Sequence, residues 1–164
     1  MTEQAGIRQK ALTMKILLKN LLFTLAVPGT VGVYLPLYIG THGEGIAGWW
    51  NWSGIPLLAA GYGALLVSIL DFMTKGEGTP FPLDPPKNLV TGRLYRYTRN
   101  PMYMGLFAVL TGWALWFSSV SVVLYALLAS TVVQLFVIFV EEPFLKRQFG
   151  AAYEDYCKKV PRWF

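Results

Sequence analysis

Charged and metal-binding side chains are scarce in this sequence. Asp, Glu, Lys and Arg make up 14% of its 164 residues, against about 25% in an ordinary soluble domain. There is one cysteine, Cys157, and one histidine, His42, far apart in the chain. An intramolecular disulfide is therefore excluded, and no Cys/His spacing predicts a zinc or haem site. We expect no metal ion in this protein.

Apolar residues are abundant instead, at 54% of the chain. A helix that crosses a membrane needs roughly 20 of them in succession. Four runs approach or exceed this length, at residues 16–39, 55–73, 102–117 and 120–140. The sequence therefore predicts an all-α membrane protein with four transmembrane helices, forming a single domain over residues 1–164.

Two details predict how these helices pack. Only Ser118 and Ser119 separate the third and fourth runs, which indicates a tight antiparallel hairpin. Small residues in the second run would permit close helix contact, namely Ala59, Ala60, Gly61, Gly63 and Ala64. Tryptophans before the second run and near the end of the third predict an aromatic belt at one interface, namely Trp49, Trp50, Trp52, Trp113 and Trp116.

Basic residues are missing from two of the connecting segments. All 14 lie in the N-terminal segment, between the second and third runs, or in the C-terminal tail. The positive-inside rule then places both termini and the long middle segment in the cytoplasm. The first eleven residues are too polar for a signal peptide, so we expect a prokaryotic inner (plasma) membrane. Since orientation accounts for the net charge of +5, we expect no nucleic acid partner.

Acidic residues at the ends of two runs need an explanation. Glu141 and Glu142 end the fourth run, although a helix C-terminus disfavours anions. They could serve a functional site, pair with nearby arginines, or lie at the start of a new helix begun by Pro143. Asp71, at the end of the second run, has similar alternatives or could extend to water.

The C-terminal tail has an amphipathic pattern. Its apolar residues recur at helical spacing with charged residues between them, namely Leu145, Phe149, Tyr153, Tyr156 and Val160. The predicted helix could lie on the membrane surface. Alternatively, it could fold over the cytoplasmic ends of the third and fourth spans as a lid that caps a cofactor pocket. The pattern alone leaves both arrangements open.

Two motifs flank the predicted hairpin. The first, residues 87–105, reads KNLVTGRLYRYTRNPMYMG, in which Asn100 is an ordinary helix N-cap and Pro101 an ordinary first helical residue. The second consists of Glu141-Glu142 followed by Phe149-Gly150, Tyr153, Tyr156 and Val160-Pro161-Arg162. Together they resemble motifs of the isoprenylcysteine carboxyl methyltransferases and related phospholipid methyltransferases. The resemblance covers residues 76–164; the front half is similar only in having two spans.

The resemblance implies an S-adenosylmethionine (SAM) site between the hairpin ends and the C-terminal helix, facing the cytoplasm. It implies methyl transfer to a membrane-dissolved acceptor: an isoprenylcysteine-like carboxylate, an isoprenoid or a phospholipid. Carried over by position, the cofactor contacts are Lys87, Leu89, Val90, Tyr95, Asn100, Pro101, Met102, Tyr103 and one or both of Glu141 and Glu142. No catalytic base is assigned, since an in-line displacement can rest on positioning alone.

The sequence departs from the carboxyl methyltransferases at two positions. Asn100 replaces their histidine before the proline, and Val137 is nearest the place of an arginine thought to hold the substrate carboxylate. A buried carboxylate without a cationic partner would be unfavourable, so a lipid amine, a thiol or an isoprenoid-like acceptor is equally open. Two other functions remain as alternatives, an NADPH-dependent sterol or isoprenoid reductase and a non-catalytic membrane assembly module.

Overall fold

The computed structural model describes residues 14, 18, 21, 22, 24–76 and 88–163. Lys87 and most of the N-terminal part of the first predicted span lie outside these residues. Every regular element in the described ranges is helical and no strand occurs in them, which confirms the all-α prediction. The α-helices are α1 (Leu35–His42), α2 (Gly54–Asp71), α3 (Pro101–Phe117), α4 (Val120–Phe136), α5 (Glu142–Phe149) and α6 (Ala151–Lys159). Single π-helical turns cover Thr30–Tyr34, Phe72–Gly76 and Val137–Glu141, and 3₁₀ turns cover Trp49–Ser53 and Arg93–Arg96.

Two continuous helices are long and apolar enough to cross a membrane. They are Trp49–Gly76, with 28 residues, and Val120–Phe149, with 30 residues. The first contains α2 and the second contains α4 and α5, so they include the second and fourth predicted spans. The third predicted span coincides with α3, an apolar helix of 17 residues. Length and composition thus support two membrane-crossing helices, and the arrangement of four spans stays a prediction.

Helices α2 and α3 run antiparallel with their backbones in close contact. A Cβ atom on Gly61 would lie 2.6 Å from the Gly105 carbonyl oxygen, and one on Gly54 would lie 2.4 Å from the Gly112 carbonyl oxygen. Only glycine permits such an approach. The predicted small-residue packing is therefore confirmed at Gly61. It is wrong at Gly63, where a Cβ would meet no atom within 4 Å.

Pro36 interrupts the first helix, and neighbouring helices compensate for the interruption. Proline has no N–H, so Pro36 cannot donate to the carbonyl of Gly32 as an α-helical residue would, nor to that of Val31 as a π-helical residue would. Side chains of α2, α3 and α4 donate to them instead: Tyr62 and Trp113 to Gly32 at 2.9 and 2.9 Å, and Tyr125 to Val31 at 2.8 Å. These hydrogen bonds satisfy buried carbonyls and attach the first helix to the bundle.

One end of the bundle, here the tryptophan end, contains Trp49, Trp50, Trp52 and Trp116. The rings of Trp52 and Trp116 contact edge to face, with centroids 5.7 Å apart, and Trp49 is 84% exposed. The predicted grouping is wrong for Trp113, whose indole N–H points into the bundle towards Gly32. The sequence feature that could have indicated the inward position of Trp113 is Pro36, because a proline lacks the N–H that would otherwise bind the Gly32 carbonyl.

The tight hairpin between α3 and α4 is confirmed. Helix α3 ends at Phe117, Ser118 takes a left-handed conformation with φ of 46°, and α4 begins at Val120. The amide of Asn51 donates to the Trp116 carbonyl at 2.6 Å, a group that helix geometry leaves without a partner. The tryptophan end is therefore closed by neutral hydrogen bonds.

The opposite end, here the glutamate end, contains Glu141, Glu142 and the C-terminal helices. The tail forms two helices instead of the single one that its spacing suggested, because Gly150 breaks it with φ of 52°. Its buried residues are Tyr153, Tyr156 and Val160, which pack with Leu89, Leu145, Phe149 and Cys157. Other parts of the protein cover this apolar face. The structure therefore favours the alternative in which the tail folds back onto the bundle over the alternative in which it lies on the membrane surface.

Candidate functional site

Residues 160–163, here the C-terminal strap, lie across the start of α3. The hydroxyl of Thr98 and the amide of Asn100 donate to the Arg162 carbonyl at 2.8 and 3.1 Å. The backbone N–H of Arg99 donates to the Pro161 carbonyl at 2.9 Å. The strap therefore adds a fixed wall beside the first turn of α3.

Asn100 does not act as the N-cap that its position suggested. Its side chain makes no capping hydrogen bond to α3 and instead donates to the strap, and the residue is 7% exposed. Pro101 follows as the first helical residue and has no N–H to satisfy. Without a side-chain cap, the amides of Met102 and Tyr103 are available donors at a helix N-terminus.

Glu142 is held by two arginines. Arg162 donates from Nε and Nη2 to its two carboxylate oxygens at 2.8 and 2.7 Å, and Arg99 Nη1 lies 3.2 Å from Oε1. These hydrogen bonds to Glu142 raise the pKa of Arg162 above its ordinary value. The structure supports the arginine-pairing alternative for Glu142, which ties α5 to the strap. Glu142 also begins α5, with Pro143 in its first turn, but Glu141 makes no side-chain cap hydrogen bond there.

Glu141 has a different environment. Its Oε2 accepts a hydrogen bond from the Tyr103 hydroxyl at 2.7 Å. Within the described ranges, no lysine or arginine lies within ion-pairing distance of its carboxylate. Glu141 ends the π-helical turn Val137–Glu141, an irregularity often found at functional sites. The two adjacent glutamates thus have separate roles, one paired with arginines and one bound to a tyrosine.

Tyr95 lies close to this pair. It is 6% exposed, its ring contacts Phe72 edge to face at 5.8 Å, and its carbonyl accepts the Tyr156 hydroxyl at 2.6 Å. Burial raises the pKa of the Tyr95 hydroxyl, and the negative charge of Glu141 raises it further. Tyr95 is therefore a neutral hydrogen-bond donor near Glu141.

Asp71 lies buried beneath the same turn. Its side chain is 0% exposed, with Lys75 Nζ at 2.9 Å and Arg93 Nε at 3.4 Å from Oδ1. The alternative that Asp71 extends to water is therefore wrong. Arg93 has a φ of 50°, a left-handed conformation that is unfavourable by about 1–2 kcal/mol for a residue with a Cβ.

The predicted cofactor positions fall into three groups. Two of them meet in a hydrogen bond, Tyr103 and Glu141, and the charge of Glu141 also raises the pKa of a third, Tyr95. Four others are buried or half-buried, namely Leu89, Val90, Pro101 and Met102, and Leu89 packs against the buried residues of the tail. Asn100 and Glu142 bind the strap or its side chains, and Lys87 lies outside the described residues.

Arg99 and Arg162 were missed as site residues by reasoning from the sequence. Both occur in the quoted motifs, but nothing in their spacing shows that they converge on Glu142, since Arg162 is 20 residues away from it. Arg99 also donates to Cys157 Sγ at 2.6 Å. The guanidinium of Arg99 thus links the start of α3 to both α5 and α6.

Residues 49–152, more than half of the chain, match the phospholipid methyltransferase family. A protein of Haemophilus influenzae described as uncharacterized is 36% identical over 62 residues, which are 38% of this chain and 98% of that protein. No solved structure matches. The family match includes both glutamates and the whole first motif. The chain belongs to the phospholipid methyltransferase family, which implies methyl transfer to a lipid-type substrate.

Proposed function

We propose that this protein is an SAM-dependent methyltransferase whose cofactor binds at the glutamate end. The observation that carries the proposal is the Tyr103–Glu141 pair, with an O–O distance of 2.7 Å. It lies where the family's two motifs meet, beside the uncapped first turn of α3. The strap and α6 would close the site on the other side.

The residues present suit the chemical groups of SAM. A carboxylate such as Glu141 accepts hydrogen bonds from ribose hydroxyls or an amino group. A sulfonium cation is favoured by aromatic faces, which Tyr95 and Tyr103 supply, and the amides of Met102 and Tyr103 suit a carboxylate. When bound, the cofactor supplies an electrophilic methyl group; the protein holds and orients the two reactants and excludes water.

Glu141 is the better candidate of the two glutamates for this contact. Glu142 already accepts hydrogen bonds from Arg162 and lies 3.2 Å from Arg99. A ligand would have to displace these charge-assisted bonds, which are among the stronger interactions in proteins. We therefore assign Glu141 to the cofactor and Glu142 to the attachment of the strap.

The pairing of these charged side chains also limits which methyl acceptors suit the site. Arg99 and Arg162 are both engaged by Glu142. Val137, which is nearest the place where the carboxyl methyltransferases have an arginine for the substrate carboxylate, is an apolar side chain with 0% exposure. An anionic acceptor would therefore find no unengaged arginine among these residues to hold its charge, which is unfavourable. We propose an acceptor with an uncharged lone pair, such as a lipid amine or a thiol, in preference to a prenylcysteine carboxylate.

The acceptor is proposed to approach from the lipid. Phe139 and Val140, immediately before Glu141, are 71% and 49% exposed. Exposed apolar side chains beside a buried carboxylate would suit a hydrophobic acceptor that arrives between helices. The reductase and the non-catalytic module remain as outcomes of the experiment.

The test is calorimetric titration of the detergent-purified protein with S-adenosylhomocysteine, with NADPH as the control ligand. We expect only S-adenosylhomocysteine to bind. The Glu141→Gln variant should bind it roughly 10- to 100-fold more weakly, because a hydrogen bond to a charged group contributes about 1.5–3 kcal/mol. Glu154→Gln, on an exposed side chain of α6, is the matched control.

Each other result of this titration has a definite meaning. Binding of NADPH alone would assign the protein to the reductases. Binding of neither ligand would favour a non-catalytic module. Wild-type affinity in a folded Glu141→Gln variant would remove Glu141 from the site while leaving the activity in place.

We also propose that four helices cross the membrane with the glutamate end in the cytoplasm. Large apolar side chains are exposed on three separate helical segments, including Tyr34 at 59%, Leu66 at 59% and Leu127 at 61%, which suits a lipid surround. In a Cys157→Ser background, single cysteines replacing Glu44 and Asp155 should be labelled from opposite sides. Labelling from the same side would contradict the proposed topology.

A further inference from the structure

One face of α2 holds the turn that carries Tyr95. Ser68, Asp71, Phe72 and Lys75 are spaced three or four residues apart along α2 and the π-helical turn after it, so they share a face. Asp71 pairs with Arg93 at 3.4 Å, and Phe72 contacts the Tyr95 ring. This face therefore meets the 3₁₀ turn Arg93–Arg96 at both its first and third residues.

Burial of Asp71 has no sufficient explanation in stability. Its side chain is 0% exposed, whereas those of Lys75 and Arg93 are 41% and 56% exposed. No described residue makes a well-oriented hydrogen bond to either carboxylate oxygen. A buried carboxylate with such partners is often no more stable than an apolar side chain of similar volume. The burial of Asp71 therefore indicates a role beyond folding.

The conformation of Arg93 supports such a role. Its φ of 50° is sparsely populated for a residue with a Cβ, and such residues persist where the surroundings fix them. Its side chain pairs with Asp71, and the turn itself is closed by the Tyr95 N–H donating to the Gly92 carbonyl at 3.0 Å. The left-handed residue sets the direction in which the next residues leave, and Tyr95 follows two positions later.

Tyr95 transmits this geometry to two parts of the site. Its carbonyl accepts the Tyr156 hydroxyl at 2.6 Å, which positions α6. Its own hydroxyl is buried, and burial and the negative charge of Glu141 both raise its pKa. A displacement of the turn would therefore move both α6 and Tyr95, which belongs to the proposed cofactor site.

We propose that Asp71 is a positioning residue for cofactor binding. Its ion pair with Arg93 holds the turn Arg93–Arg96, and through Tyr95 it holds α6 and the surroundings of Glu141. Asp71 does not touch the cofactor in this proposal, which rests on the proposed function.

The test compares S-adenosylhomocysteine binding to purified wild-type protein, Asp71→Asn and Arg93→Gln by calorimetry. We expect each variant to bind about tenfold more weakly with an unchanged number of sites per protein. The double variant should lose no more than Asp71→Asn alone, because Asp71→Asn already removes the pair with Arg93 together with the pair with Lys75. Asp155→Asn, which removes an exposed pair with Lys158 on the outer face of α6, should bind as the wild type does.

Other outcomes separate this proposal from the proposed function. If the wild type fails to bind S-adenosylhomocysteine, the proposed function fails before any variant is compared. If the wild type binds and Asp71→Asn binds equally well, positioning by Asp71 is refuted. A reduced number of sites at unchanged affinity would make Asp71 a folding residue only. Should Asp71→Asn fail to fold, the affinity of Arg93→Gln, whose side chain is half-exposed, still tests the proposal. Losses of affinity that add in the double variant would refute the coupling between Asp71 and Arg93.

Discussion

The two ends of the bundle satisfy their polar groups in different ways. At the tryptophan end, Asn51 and Trp50 donate neutral hydrogen bonds to the end of α3 and to Ser118, and the described residues there bury no charged side chain. At the glutamate end, Asp71, Glu141 and Glu142 are buried or half-buried carboxylates. Burying ions carries a large desolvation penalty. If folding in the membrane were the only requirement, neutral hydrogen bonds could have satisfied the polar groups at both ends.

The three carboxylates at the glutamate end also differ from one another in their partners. Asp71 and Glu142 each have two cationic partners, so their carboxylates can stabilise the positions of neighbouring segments. Glu141 pairs with a tyrosine hydroxyl and keeps unused capacity to accept hydrogen bonds. Of the three carboxylates, Glu141 is therefore the one without a cationic partner among the described residues.

The largest effect is expected from Gly61→Leu, which would separate the helices that both ends share. A Cβ there would lie 2.6 Å from the Gly105 oxygen and 2.8 Å from the Val109 nitrogen. Because backbone atoms cannot turn away, we expect a loss of about 3 kcal/mol or more, at the upper end for overpacking. Thermal unfolding in detergent would measure it.

The control for this prediction is Gly63→Leu on the same helix. A Cβ at Gly63 meets nothing within 4 Å, so its stability should change by only about 0.5 kcal/mol. Because leucine is a better helix former than glycine, equal destabilisation by the two leucines would mean that the close contact between α2 and α3 at Gly61 does not determine the result.

An intermediate effect is expected from Glu142→Gln, which acts on the glutamate end alone. Arg99 and Arg162 would lose their shared anion while keeping 13% and 34% exposure. We expect a loss of about 2 kcal/mol, as for a hydrogen bond to a charged group. Trypsin should also cleave after Arg162 faster, because the strap is released.

Asp155→Asn serves as the comparison, since Asp155 belongs to an exposed ion pair with side-chain exposures of 74% and 64%. Such pairs contribute little. If Glu142→Gln leaves both unfolding and cleavage as they are in Asp155→Asn, the two arginines do not hold the strap through Glu142.

The sequence predicted the parts of this contrast that depend on local pattern. Uninterrupted apolar length located α2, α3 and α4, and Ser118-Ser119 located the hairpin, because each is encoded in consecutive residues. The separate roles of Glu141 and Glu142 could not be predicted, since they depend on Arg99 and Arg162 arriving from other segments. Both glutamates have the same chemistry and neighbouring positions. Only the packed structure distinguishes them.

The missed position of Trp113 has a similar cause. Its place near the end of a span is typical of an interfacial tryptophan. The carbonyl of Gly32 is free because Pro36 lacks an N–H, and the indole binds it across the bundle. The proline was visible in the sequence, but its distant hydrogen-bond donor was not.

The smallest effect is expected from Trp50→Phe at the tryptophan end. The substitution keeps an aromatic ring and removes the indole N–H that donates to Ser118 Oγ at 3.2 Å. We expect a loss of about 1 kcal/mol, typical of one neutral hydrogen bond, measured by thermal unfolding. Affinity for S-adenosylhomocysteine should stay within twofold of the wild type, about 0.4 kcal/mol. A tenfold weaker affinity would show that the hairpin transmits its geometry along α3 to Tyr103, and the two ends would then form one functional unit.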